Sequence, residues 1–190
     1  MTKMVLSVIL AATSLLAGCH TQQPVAEPTP VATTVTVVDT QGVIARYAND
    51  IWPLVKASNE APPDQLSQNA VGLSRVVYRD IPMEARARLE ESVQRLGTVR
   101  DADQTHGLID RDREVGLTLA DTALTALDSS KATLQMCYTY IANVYGAIGD
   151  PPAKNPGASE ATVELRKADN WYLNAITNDH VVPGCRSNKA

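Results

Sequence analysis

Near its start the chain carries an apolar stretch, Met4 to Ala17, preceded by Lys3 and followed by Gly18 and Cys19. The stretch is about 14 residues long, short of the ~20 that a membrane-spanning helix needs. A basic start, a short apolar core and small residues before a cut site mark an export signal. This constrains everything downstream. A chain that folds outside the cytoplasm meets oxidising conditions, and its cysteines can pair. Residues 1–18 are therefore read as a removed leader, and fold reasoning begins at Cys19.

Leu16-Ala17-Gly18-Cys19 resembles the lipobox of bacterial lipoproteins at all four positions. The resemblance covers only about the first 20 residues, and no family is recognised for the remainder. It implies that the Cys19 thiol receives a diacylglycerol and becomes the mature N-terminus. A single acyl chain binds a bilayer marginally, and stable anchoring takes a second signal. A lipoprotein of this kind carries two or three chains on one residue, so acylated Cys19 would hold it to the lipid bilayer. His20 follows, rather than the Asp that marks inner-membrane retention. By the same resemblance the destination is the outer membrane, facing the periplasm.

With Cys19 consumed by lipid, Cys137 and Cys185 remain. An even pair in this compartment reads as one disulfide. It would close a loop of about 49 residues, worth near 4 kcal/mol by chain-entropy arithmetic. The alternative leaves Cys137 as a buried thiol on an apolar face.

Residues 20–40 hold Pro24, Pro28 and Pro30 among Thr, Val, Gln and Ala. Such a segment is an extended, semi-rigid tether, reaching up to ~60 Å at ~3.1 Å per residue. Removing Lys3 takes the formal net charge from −4 to −5. A mildly acidic chain lacks the basic footprint of nucleic-acid binding. Arginines and acids interleave between Arg75 and Glu114, as on a solvated helix face.

From residue 41 to 190 the expectation is a single helical domain. Ile44, Tyr47, Ala48, Ile51 and Val55 fit a first helix over 41–58, with Pro53 kinking or splitting it. Leu66, Ala70, Leu73 and Val77 fit a second over 63–79. Asp80 and Pro82 open a third, with Ala85, Leu89, Val93 and Leu96 inward. Leu117, Leu124, Leu127, Leu134, Ile141, Val144 and Ile148 suggest a long helix over 110–149, bent or broken at Asp128-Ser129-Ser130. A last helix starts at Ser159, with Val163, Ala168, Tyr172 and Ile176 inward. The fold class is then all-α: a four- or five-helix antiparallel bundle with a disulfide-tied C-terminal tail.

Candidate chemistry is sparse. Asp101, Asp103, Thr105 and Asp112 have the spacing of a calcium loop, but His106 stands where a turn Gly is needed and Gly107 falls one place late. The segment reads as a solvated connection. His106 and His180 lack the local spacing of a zinc site and read as surface histidines. No hydrolase, phosphate-loop or haem-attachment motif occurs. Glu90 and Glu91 are adjacent, so on a helix they point in different directions. No catalytic residue, metal or cofactor is assigned. Tyr138, Tyr140 and Tyr145 form either a partner surface or core packing in a chain without Phe. Trp52 and Trp171 are expected to pack where the first and last helices meet.

The function class this favours is a non-catalytic binding module of the cell envelope, acting on an envelope protein partner. Anchoring would raise its effective concentration there. The alternatives are an immunity or exclusion protein against a periplasm-delivered toxin, and a periplasmic enzyme or small-ligand sensor with a polar pocket.

Overall fold

The computed structural model describes residues 37–61, 71–97, 109–111, 115–146 and 151–186. Cys19, the leader and the tether up to residue 36 lie outside the described residues. So do Asp101, Asp103, Thr105, His106, Gly107 and Asp112 of the loop considered for calcium.

The architecture is an antiparallel sheet backed by helices, not an all-α bundle. α1 (Val43–Arg46), a π-helical turn (Tyr47–Ile51) and α2 (Trp52–Glu60) follow one another without a break. α3 spans Met83–Arg95. The strands are β1 (Ile109–Arg111), β2 (Thr118–Leu127), β3 (Lys131–Val144), β4 (Ala153–Lys167) and β5 (Trp171–Val182). β2, β3, β4 and β5 pair in chain order, and short β1 pairs with the far end of β3. The expected long helix over 110–149 is therefore β1, β2 and β3. The expected last helix is the hairpin of β4 and β5.

Alternation explains the strands. On β3, Ala132, Leu134, Met136, Tyr138, Tyr140 and Ala142 are buried, while Thr133, Gln135 and Thr139 stand between them. On β4, Ala161, Val163 and Leu165 are buried, and Glu160, Thr162, Glu164 and Arg166 alternate with them. Period two with one apolar face is the signature of a sheet packed on one side. Asp128 does not bend a helix; it closes the β2–β3 hairpin. Its Oδ1 accepts from the N–H groups of Ser130 (2.6 Å) and Lys131 (2.7 Å). This is the aspartate turn chemistry that favours chain reversal.

The helices carry the other half of the core. Val43, Tyr47, Ile51, Val55 and Asn59 are all buried at a spacing of four. An α-helix turns 100° per residue, so a strict spacing of four drifts around its surface. The π turn corrects this by inserting a residue: the Trp52 N–H reaches the Tyr47 carbonyl, one residue further back than in an α-helix. Pro53 supplies the cause. It lacks the N–H that the Asn49 carbonyl would accept, so the ladder shifts register and the helix continues.

Tyr47, Trp52, Tyr138 and Tyr140 form an aromatic row at the helix–sheet boundary. Successive ring centroids lie 6.5, 6.0 and 6.2 Å apart, within the favourable range for tilted pairs. The expected meeting of Trp52 with Trp171 is replaced by contact of Trp52 with Tyr138. Trp171 opens β5, with Lys167 Nζ 5.0 Å from its ring centroid.

Candidate functional site

α3 lies on β5 and on the end of α2, and its placement leaves a concavity between helix and strand. Leu89 and Val93 turn inward. The last turn is held from below by Asn59, which is 1% exposed. Its Nδ2 donates to the carbonyls of Val93 (2.8 Å) and Leu96 (3.2 Å) at the end of the helix, where carbonyls run out of regular intrahelical donors; Val93 also accepts from the Leu96 N–H at 3.4 Å. Gln94 Nε2 returns a bond to the Ser58 carbonyl at 2.9 Å. The C-terminal turns of α2 and α3 are thus tied to each other by amide side chains.

Gly97 then leaves the helix with φ 69°, the left-handed conformation that ends helices and suits glycine. Its N–H donates to the Tyr138 hydroxyl at 2.8 Å, and that hydroxyl donates to Asp179 Oδ1 at 2.6 Å. Burial, then the charge and hydrogen bond of Asp179, hold the Tyr138 phenol well above its ordinary range. It remains a neutral donor, and it links α3, β3 and β5 at one point. Tyr47 is likewise raised by burial, and its hydroxyl lies against Met136 Sδ.

Between α3 and β5 runs an open groove of about 340 Å³. Arg88, Glu91 and Arg95 form its helical wall, and Ile176, Asn178 and Asp179 form the strand side. Positions 88, 91 and 95 fall on one helix stripe that flanks the buried one on the side of β5. Arg95 pairs with Glu91, and Arg88 lies 4.0 Å from Glu84. Asn178 adopts φ 55°, rare for a residue with a Cβ and tolerated best by Asn and Asp. It accompanies a β-bulge, since the register slips between the Glu160–His180 and Thr162–Thr177 pairs.

The residues singled out from the sequence fall elsewhere. Cys137 on β3 and Cys185 after β5 are joined in a disulfide, Cα–Cα 5.6 Å, on the sheet face away from the helices. Tyr138 and Tyr140 are buried in the core, and Tyr145 is half-buried just past β3. His180 is exposed, its Nδ1 donating to the Asn178 carbonyl at 2.8 Å. Among the described residues no three His, Cys, Asp or Glu side chains converge as metal ligands would. No helix among them is long and apolar enough to cross a membrane.

Arg88, Glu91, Arg95 and Asp179 carried no signal as a site in the sequence. The α3 charges read as a solvated face, and β5 was not expected as a strand. No protein-family model matches the chain, and no curated protein matches it in sequence.

Proposed function

We propose that this is a lipid-anchored protein of the bacterial envelope whose sheet-and-helix domain is a non-catalytic interaction module on the periplasmic side of the outer membrane. The observation that carries the reading is the Cys137–Cys185 disulfide. Two buried cysteines in a bonded pair suit an oxidising compartment, which is where a chain with an export leader and Leu16-Ala17-Gly18-Cys19 would fold. The Pro-bearing tether supports the same reading, since it would hold the domain away from the bilayer while keeping it concentrated beside its partner. The partner would be another envelope protein, docking on the domain surface.

The test is fractionation of cells expressing the chain with Cys19 intact or as Cys19→Ala. The intact protein should sediment with outer-membrane vesicles and incorporate labelled fatty acid. Cys19→Ala should lose the label and appear in the soluble periplasmic fraction or stay unprocessed. Fatty-acid labelling that survives Cys19→Ala would refute the anchor. Two free thiols in envelope-derived material would remove the compartment argument.

A further inference from the structure

The geometry points to the α3–β5 groove as a docking site for an extended, acidic segment of a partner polypeptide, added as a strand to the outer edge of β5. This deepens the reading of the domain as an interaction module and rests on it.

Two independent features meet at this groove. One is main-chain. The segment Val76–Tyr78 covers β5 only at Leu173, where Tyr78 N–H donates to the Leu173 carbonyl at 2.8 Å and Leu173 N–H to the Val76 carbonyl at 2.7 Å. Among the described residues nothing pairs with the outer edge of Ala175–Asn178. An unpaired edge beside a helix is the arrangement in which a peptide adds to a sheet: main-chain bonds supply affinity and flanking side chains supply selectivity. The Val76–Tyr78 segment already uses β5 in this way, so the strand is competent to pair on that side.

The other feature is charge. Arg88 and Arg95 stand two helical turns apart on the wall above the strand, about 10 Å along the axis. Their present partners are exposed: the side chains of Arg88 and Glu84 are 71% and 88% accessible, those of Arg95 and Glu91 55% and 54%. Such pairs contribute little, so either guanidinium can turn to an incoming carboxylate and bind it in bidentate fashion. Side chains on one face of a strand recur about every 6.7 Å. Two glutamates separated by one residue therefore face the wall together, within reach of two flexible arginines. Glutamates three apart point to opposite faces. Glu91 and Asp179 oppose the ligand's charge. Asp179 already accepts from Tyr138, and Glu91 is released when Arg95 is taken, so Glu91 sets the penalty on binding.

The test uses the full processed chain in detergent and a fluorescein-labelled, blocked peptide of alternating glutamate and valine, read by anisotropy. The peptide should bind saturably. Arg88→Glu and Arg95→Glu should each weaken it about tenfold or more, and Glu91→Gln should tighten it several-fold. These side chains are exposed, so the variants keep the fold, which circular dichroism checks. N-methylation of alternate peptide nitrogens should abolish binding in one phase and spare it in the other, as only one set faces β5. A peptide with lysine in place of glutamate should not bind, and glutamates spaced by three should bind weakly. Binding indifferent to N-methylation would mean ionic adsorption and overturn strand addition. No binding, or binding unmoved by Arg88→Glu and Arg95→Glu, would overturn the site. Neither result touches the lipid anchor, which Cys19→Ala tests separately.

Discussion

Asn59 is the side chain on which the position of α3 depends most directly. Its Nδ2 serves the carbonyls of Val93 at 2.8 Å and Leu96 at 3.2 Å, with Gln94 further off at 3.4 Å. Asn59→Ala removes these donors from a site that is 1% exposed, so water cannot replace them without opening the packing. A hydrogen bond contributes about 0.5–1.5 kcal/mol net. With two good bonds lost, the expected destabilisation is about 1–3 kcal/mol, a drop of roughly 3–9 °C in Tm for a domain of this size. Urea unfolding followed by circular dichroism measures it, with an unchanged m-value marking a stability effect alone.

Asn59→Asp sharpens the argument. It keeps the shape and replaces a donor with an acceptor, placed against the carbonyl end of α3 where negative charge is disfavoured. Burial and those carbonyls both raise the carboxyl pKa above the ~3.9 of the unfolded chain. A raised folded pKa gives stability that is present below the unfolded value and lost as pH rises through the folded one. At neutral pH Asn59→Asp should therefore be less stable than Asn59→Ala, and it should recover toward acid. If the two variants match at neutral pH, or if Asn59→Ala costs under about 0.5 kcal/mol, the amide does not hold α3 and the reasoning fails.

Asp39 receives the N–H groups of Val43 and Ile44, each at 2.9 Å, ahead of the first helix. Burial pushes its carboxyl up, but the N–H groups of Ile44, Val43 and Gln41 outweigh this and leave it below the usual carboxylate range. Its contribution is present above the unfolded pKa of ~3.9 and lost as pH falls through the depressed folded value; Asp39→Ala should cost about 1 kcal/mol at neutral pH and flatten that acid limb in urea titrations. A Cβ on Gly157 would lie 2.6 Å from Tyr140 Cε2, so Gly157→Ala should cost about 1–3 kcal/mol and be partly relieved by adding Tyr140→Leu. Replacing both Cys137 and Cys185 with Ala should cost up to about 4 kcal/mol, given their separation of 48 residues, and abolish the mobility shift on reduction.

Before residue 97 the first and third helices were legible because proline and apolar spacing agree there; the second, expected over 63–79, departs, since residues 75–80 leave the helix and Val77 bridges to Leu173 of β5. The expected inward residues of the third helix, Leu89, Val93 and Leu96, are buried, and Ala85 packs against them. Beyond residue 110 two periods compete. Leu117, Leu124, Leu134 and Ile141 are spaced by sevens and tens, which suits a helix, and Ala is the best helix former. The competing pattern is the alternation from Ala132 to Ala142, in which every second residue is apolar and Thr133, Gln135 and Thr139 intervene. The alternation prevails. Thr, Val and Tyr fit a pleated, half-buried surface, and Leu124 lies directly opposite Leu134 across the β2–β3 ladder. Asp128-Ser129-Ser130 marks the interruption in either pattern. Read as a hairpin, it would have turned the long helix into two strands.

The helix-like spacing over 110–149 also conceals the groove. Arg88, Glu91 and Arg95 are visible in the sequence as a stripe on one face of α3, and alone such a stripe means a solvated helix. It becomes a wall only when a strand with an open edge runs beside it. The openness comes from long-range pairing: Val76–Tyr78 covers β5 at Leu173 and stops there. Asn174 and the Asn178 bulge then shift the β4–β5 register, so that Ile176 forms the floor and Asp179 meets Tyr138 from β3. Each of these relations joins residues on different elements, where local propensity is silent. A charged helix face is therefore ambiguous until its neighbour is known. The discriminating observation is whether the next element leaves main-chain donors and acceptors beside it, as β5 does here.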